Sequence, residues 1–204
     1  MYILMWFLAC SKIDNAPKPF VEKYDSGQLS VSGQIQNNTP MGTWTEWHKN
    51  GQQRAEYHFL DGMEHGIRKV WYNTGTPAEQ GLFKFGLKDG TFTMWYENGT
   101  KRAETEYQKG IENGVRKTWF ESGQLKSEAN IENDMQIGQR RFWHENGQLK
   151  TDGAFVLDQR NGLEHLWNEE GLWTESHCYK LDILQQSWTA EKQQVQPSNT
   201  DTCL

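Results

Sequence analysis

Large apolar residues recur along this chain at a fixed step of 24. Tryptophans stand at Trp47, Trp71, Trp95, Trp119, Trp143 and Trp167. A second column, Ile35, Phe59, Phe83, Tyr107, Ile131, Phe155 and Tyr179, keeps the same step, with polar residues between. Glycines share the register at Gly42, Gly66, Gly90, Gly114, Gly138 and Gly162, and again at Gly51, Gly75, Gly99, Gly123, Gly147 and Gly171. All 19 glycines fall in four such columns, so glycine marks turns here and not general flexibility. Columns held in one register over six or seven units are the signature of a repeat array.

The flanks of each turn are rich in Trp, Tyr, Phe, Thr and Val, the residues that suit strands. Asn-Gly recurs at 50–51, 98–99 and 146–147, with Ser-Gly at 26–27 and 122–123. That dipeptide predicts type I′ hairpin turns, followed by a four-residue turn into the next unit. Asn38, Gly62, Gly86, Gly110, Asp134, Asp158 and Asp182 mark this second turn. No segment has helical periodicity. The fold expected is all-β: an elongated single-layer array of about seven antiparallel hairpin units of 24 residues. Seven units at about 4.8 Å per strand give a sheet on the order of 65 Å long, whether flat or troughed. The array should run from 23 to 184, with residues 11–22 a proline-bearing tether and 185–204 a disordered tail. The stretch 181–188 has a second reading, as a cap folded over the last hairpin.

The first nine residues are an apolar run ending Leu8-Ala9 before Cys10. This segment, 1–10, resembles a bacterial lipoprotein signal peptide, although no basic residue precedes it. The resemblance implies a diacylglycerol on the Cys10 sulfur and an envelope location, on the outer membrane in a Gram-negative cell. A cytoplasmic location is the alternative. The unit clearest at Gly114, Trp119, Phe120, Gly123, Gln124, Leu125, Lys126 and Glu128 resembles the MORN repeat variant. Arrays of that variant are similar to a bacterial group labelled YwqK-family antitoxins. The resemblance covers residues 24 to about 183, and it implies a hairpin-repeat fold with no catalytic residue to carry over.

A formal net charge of −6 argues against nucleic acid as a partner. The six histidines show no H-x-x-x-H spacing, and C-x-x-C is absent, so no metal or other cofactor is expected. Cys178 and Cys203 either pair in an oxidising compartment or stay thiols. Glu97, Glu121, Glu145 and Glu169 form an acidic column at hairpin tips. Arg68, Lys69, Arg116, Lys117, Arg140 and Arg141 are the candidate protein-binding residues, a basic patch that the fold itself should not need. The protein is expected to be a non-enzymatic, monomeric scaffold that binds a protein partner. An antitoxin or immunity protein that neutralises a toxin is the alternative, with carbohydrate or lipid-headgroup binding less favoured.

Overall fold

The computed structural model describes residues 15–191. Cys10 with its signal-like segment, and the end of the expected tail with Cys203, lie outside the described residues. Within them there is no helix, and seventeen strands form one sheet. In chain order the strands are β1 (Lys18–Lys23), β2 (Leu29–Gln36), β3 (Thr39–Trp47), β4 (Gln53–Leu60), β5 (Met63–Glu64) and β6 (Gly66–Trp71). Next come β7 (Pro77–Lys84), β8 (Leu87–Lys88), β9 (Gly90–Trp95), β10 (Lys101–Gln108), β11 (Ile111–Trp119) and β12 (Leu125–Glu132). The last are β13 (Met135–Trp143), β14 (Leu149–Val156), β15 (Gln159–Trp167), β16 (Trp173–Lys180) and β17 (Ile183–Thr189). Each pairs antiparallel with the next in sequence, β5–β6 and β8–β9 acting as single interrupted strands.

The two turns exchange the roles expected of them. At the Asn50-Gly51 turn only the glycine has positive φ, at 87°. Gly51 N–H donates to the His48 carbonyl (2.9 Å) and His48 N–H to the Gln52 carbonyl (2.8 Å). This is a type I turn closed by a glycine bulge, which needs positive φ at one residue and not two. The type I′ geometry sits at the other end of each hairpin. There, Asn37-Asn38, Asp61-Gly62, Phe85-Gly86, Lys109-Gly110, Asn133-Asp134, Leu157-Asp158 and Leu181-Asp182 all have positive φ. Strand ends pair directly across these turns, as in Leu60 with Met63 and Gln108 with Ile111. The connections are two residues long, not four.

The column Gly42 to Gly162 adopts positive φ within the strands, at 64° to 133°. Opposite it the register jumps, as from Ser32–Thr45 to Gln34–Met41, so the glycine strand carries two extra residues. The bulge brings residues i and i+4 together, and Glu64–Arg68, Glu112–Arg116 and Arg160–Glu164 meet across it.

The expected boundaries move at both ends. The tether stops short of 22, because β1 pairs with β2 and Phe20 packs its ring 5.0 Å from that of Trp44. Pro19 is compatible with this because the outer side of an edge strand needs no donor. The expected tail begins later than 185, because β17 pairs with β16 through Thr189. Gln186 stands where the column would place a glycine, and the bulge there shrinks to one residue. Trp188 is thereby drawn opposite Ser176, in the row where the repeat would place its neighbour.

Strand alternation divides the side chains between two unlike faces. Trp44, Phe83, Phe92, Ala129, Ile131 and Tyr179 are buried on one, hereafter the aromatic face. Phe92 is 2% exposed, held edge-on between Phe83 (5.4 Å) and Tyr107 (5.2 Å). Gly33 and Gly81 leave room for this packing. A Cβ on either would lie 2.2 Å or 2.3 Å from the ring of Trp44 or Phe92.

Candidate functional site

The six basic residues singled out from the sequence are not one patch. Arg68, Arg116 and Arg140 lie on the aromatic face; Lys69, Lys117 and Arg141 lie on the opposite one. The arginines pack among rings. Arg68 sits 5.8 Å from the centre of Phe83 and 3.8 Å from the Glu64 carboxylate. Arg116 pairs with Glu112, whose other oxygen accepts from the Tyr107 hydroxyl at 3.0 Å. Arg140 lies 4.3 Å over Phe142, and burial, with the nearby Arg116 charge, lowers its pKa. In the last full unit the two positions are exchanged, with Glu164 in the arginine's place and Arg160 in that of Glu112; Arg160 lies 3.9 Å over Tyr179, bonded to Asp182. A guanidinium stacked on a ring is partly desolvated and covers apolar surface with its stem. These arginines therefore belong to the packing.

Across the opposite face a single row crosses the strands: Glu56, Lys69, Gln80, Thr93, Glu104, Lys117, Glu128, Arg141, Asp152, His165 and Ser176. Acids and bases alternate along much of it. Lys117 meets Glu128 at 3.1 Å and Arg141 meets Asp152 at 3.4 Å. The row ends in Asp152, His165 and Ser176 side by side, with His165 Nδ1 2.7 Å from Ser176 Oγ. That order invites comparison with a hydrolytic triad. However, Ser176 is fully buried and its hydroxyl accepts from Trp173 Nε1 at 2.8 Å, so no substrate reaches it from solvent. The neighbouring Cys178 is disulfide-bonded; its expected partner, Cys203, lies outside the described residues. No cluster of His, Cys, Asp or Glu that could hold a metal ion occurs among the described residues.

Both long edges are stitched from unit to unit. At the glycine-bulge edge, Tyr24, Tyr72 and Tyr96 donate their hydroxyls to the carbonyls of Trp47, Trp95 and Trp119, at 2.6–2.8 Å. His48 and His144 do the same through Nε2, to Trp71 and Trp167. The histidines thus stand in for tyrosine as donors. Asn50, Asn98 and Asn146 bond their own turn through Oδ1 and donate through Nδ2 to the next unit. Asparagine is favoured there for this bridge. The tryptophan column is half-buried, with Lys101 lying 5.0 Å over the Trp119 ring. Glu97, Glu121, Glu145 and Glu169 stand exposed along this edge, as the sequence suggested.

At the type I′ edge, Asp134, Asp158 and Asp182 each use backbone N–H and carboxylate to bond residue i−22, namely Glu112, Gln136 and Arg160. Four segments match the MORN repeat variant, at residues 64–85, 88–109, 112–133 and 136–155. No curated protein matches the chain. The matched MORN repeats run from β5 into β14, and the units on either side extend the same sheet with the same ladders. Sequence reasoning missed what the type I′ edge exposes: Leu60, Met63, Phe85, Leu87, Ile111 and Val156 all stand in solvent. The readable signal was the apolar residue beside most of these turns, as Leu60 and Met63 stand about Asp61-Gly62.

Proposed function

We propose that the protein is a non-enzymatic scaffold that holds a protein partner against its sheet, anchored to a bacterial envelope through lipid on Cys10. The observation that supports it most is the row of exposed apolar side chains along one long edge, while many strand charges pair internally. Contiguous exposed apolar surface of this kind is characteristic of interaction sites. The Asp152–His165–Ser176 row is closed to substrate, and the surface depressions, such as that lined by Tyr24, His48, Lys49 and Arg54, are open. An anchor at Cys10 would hold the β1 end of the sheet close to the bilayer, because residues 11–17 span at most about 25 Å.

Affinity capture from the native host tests the reading. Wild-type protein should retain a specific protein, and the double variant Leu87→Ser, Ile111→Ser should lose it while melting like wild type. Equal capture by both would exclude this edge as the site. A captured toxin would give the scaffold its antitoxin form. Cys10→Ala should abolish an added acyl mass and release the protein from membranes. An unmodified Cys10 in wild type would remove the anchor from the account.

A further inference from the structure

The last full unit breaks a rule that its sisters keep. The positions equivalent to Cys178 are His58, Glu106 and Asn130, which are exposed, and Leu82 and Ala154, which are half-buried. Those equivalent to Ser176 are Glu56, Gln80, Glu104, Glu128 and Asp152, none of them buried. Yet Cys178 is 1% exposed and Ser176 0%. An end unit should be the more open one, because a terminal repeat has solvent where its sisters have a neighbour. The described sheet supplies part of the cover. Trp188 stands opposite Ser176, and Trp173 donates to the serine hydroxyl. Neither explains Cys178, whose neighbours across the strands are Leu163 and the exposed Gln186.

Cys178 is disulfide-bonded, and the chain has three cysteines, so its partner is Cys10 or Cys203. Reach separates the two. The Asn15 carbonyl accepts from the Gln36 side chain at the first hairpin, and residues 10–15 span at most about 18 Å. From β2 to β16 the sheet runs on the order of 55 Å at about 4.8 Å per strand. At the other end, Ala190 N–H donates to the Thr174 carbonyl, on the same strand as Cys178. Residues 191–203 reach up to about 40 Å, ample for the short step from Thr174 to Cys178. We propose that residues 192–203 form a strap across the charged face of β15, β16 and β17, clasped by a Cys178–Cys203 disulfide and released when that bond is reduced. The segment is rich in Gln, Ser, Thr and Asn, which suits a face that presents His165, Ser176 and Gln186. It caps the end of the array. Release is a thiol–disulfide exchange: a dithiol is oxidised to its own disulfide, and its two electrons and two protons leave Cys178 and Cys203 as thiols. Oxidising surroundings therefore keep this face closed, and reducing ones open it. The inference stands whichever partner the scaffold holds.

The test uses the full-length chain equilibrated with oxidised glutathione. Its peptides are mapped by mass spectrometry without reduction, and its histidines are modified with diethyl pyrocarbonate before and after dithiothreitol. A cross-linked Cys178–Cys203 peptide is expected. His165, 8% exposed, should react roughly tenfold faster once the bond is reduced and the strap opens. His48, bonded to the Trp71 carbonyl near the other end of the array, should keep its rate. Cys203→Ser should give the fast His165 rate with or without reductant. A Cys178 recovered as a thiol, or bonded to Cys10, overturns the inference. So does a His165 rate that ignores both reduction and the variant, since the segment would then be tied without covering the face. Equal acceleration at His48 overturns it as well, because the bond would then hold the whole array and not a strap.

Discussion

The two faces of this sheet are built from the same strands yet are held by different physics. On the aromatic face, Trp44, Phe83, Phe92, Ile131 and Tyr179 are buried, and the arginines lie over rings. On the other, a row of alternating acids and bases crosses the strands half in solvent. Removing apolar area from water is worth about 25 cal/mol per Å², whereas an exposed cross-strand ion pair contributes roughly 0.2–1 kcal/mol. Over the middle units the core gathers on one side, and the other side is buried only at its far end, at His165, Ser176 and Cys178. Elsewhere the second side stands half in solvent, and its ion pairs each contribute little to stability.

Substitutions at neighbouring positions sharpen that contrast. The largest effect should come from Phe92→Ala, at about 3–5 kcal/mol in denaturant melts. Thr93→Ala, the next residue and on the opposite face, should move stability by no more than about 0.5 kcal/mol. Comparable losses from the two would mean that the faces are not distinct. Gly81→Ala should come next, at about 1–3 kcal/mol, because the new Cβ would meet the Phe92 ring 2.3 Å away. An unchanged melting temperature would show that the ring is not seated on that glycine.

A smaller effect of opposite sign is expected at Gln136, the buried amide in the position that Glu112 and Glu64 occupy in sister units. Its Nε2 has no partner, and Arg140 four residues on lacks the acid that Arg116 has across the same bulge. Gln136→Glu should restore the pair and raise stability by about 1 kcal/mol near neutral pH. Burial raises the pKa of the sister Glu64 in spite of Arg68; where the Arg140 pair outweighs that burial the folded pKa is depressed, and the gain is present above the unfolded value of about 4.3 and disappears as pH falls through the folded one. A gain that grows on acidification would mean that the new side chain is stabilised in its neutral form.

The period, the hairpin, the absence of helix and the tryptophan column were legible in the sequence, because each follows from residues that repeat in kind. The turn types were not. Asn-Gly suits both a type I′ turn and a type I turn with a glycine bulge, and the turns with Ser26, Thr74 or Ser122 before the glycine close in the same way, so the dipeptide does not decide between them. The strands at the two ends were hidden because β1 and β17 leave the repeat pattern and are recruited by pairing with β2 and β16. Strand parity already separates Arg68 from Lys69 and Arg140 from Arg141, but grouping residues by charge masks it. The strained apolar tips were equally out of reach. Phe85 and Leu157 read as ordinary hydrophobic residues until their φ values and exposure are known together.

A matched pair of triple variants shows whether the aromatic face carries the middle units and the charged face does not. Arg68→Ser, Arg116→Ser and Arg140→Ser clear the aromatic face of guanidinium groups; Lys69→Ser, Lys117→Ser and Arg141→Ser clear the same number of charges one residue away. Each set removes three positive charges, so the change in net charge cancels in the comparison. Equilibrium unfolding of both should show the first variant losing about 3–6 kcal/mol, the sum of three partly buried contacts. The second should stay within about 1.5 kcal/mol of wild type. Equal losses in the two, or a larger loss in the second, would contradict the account.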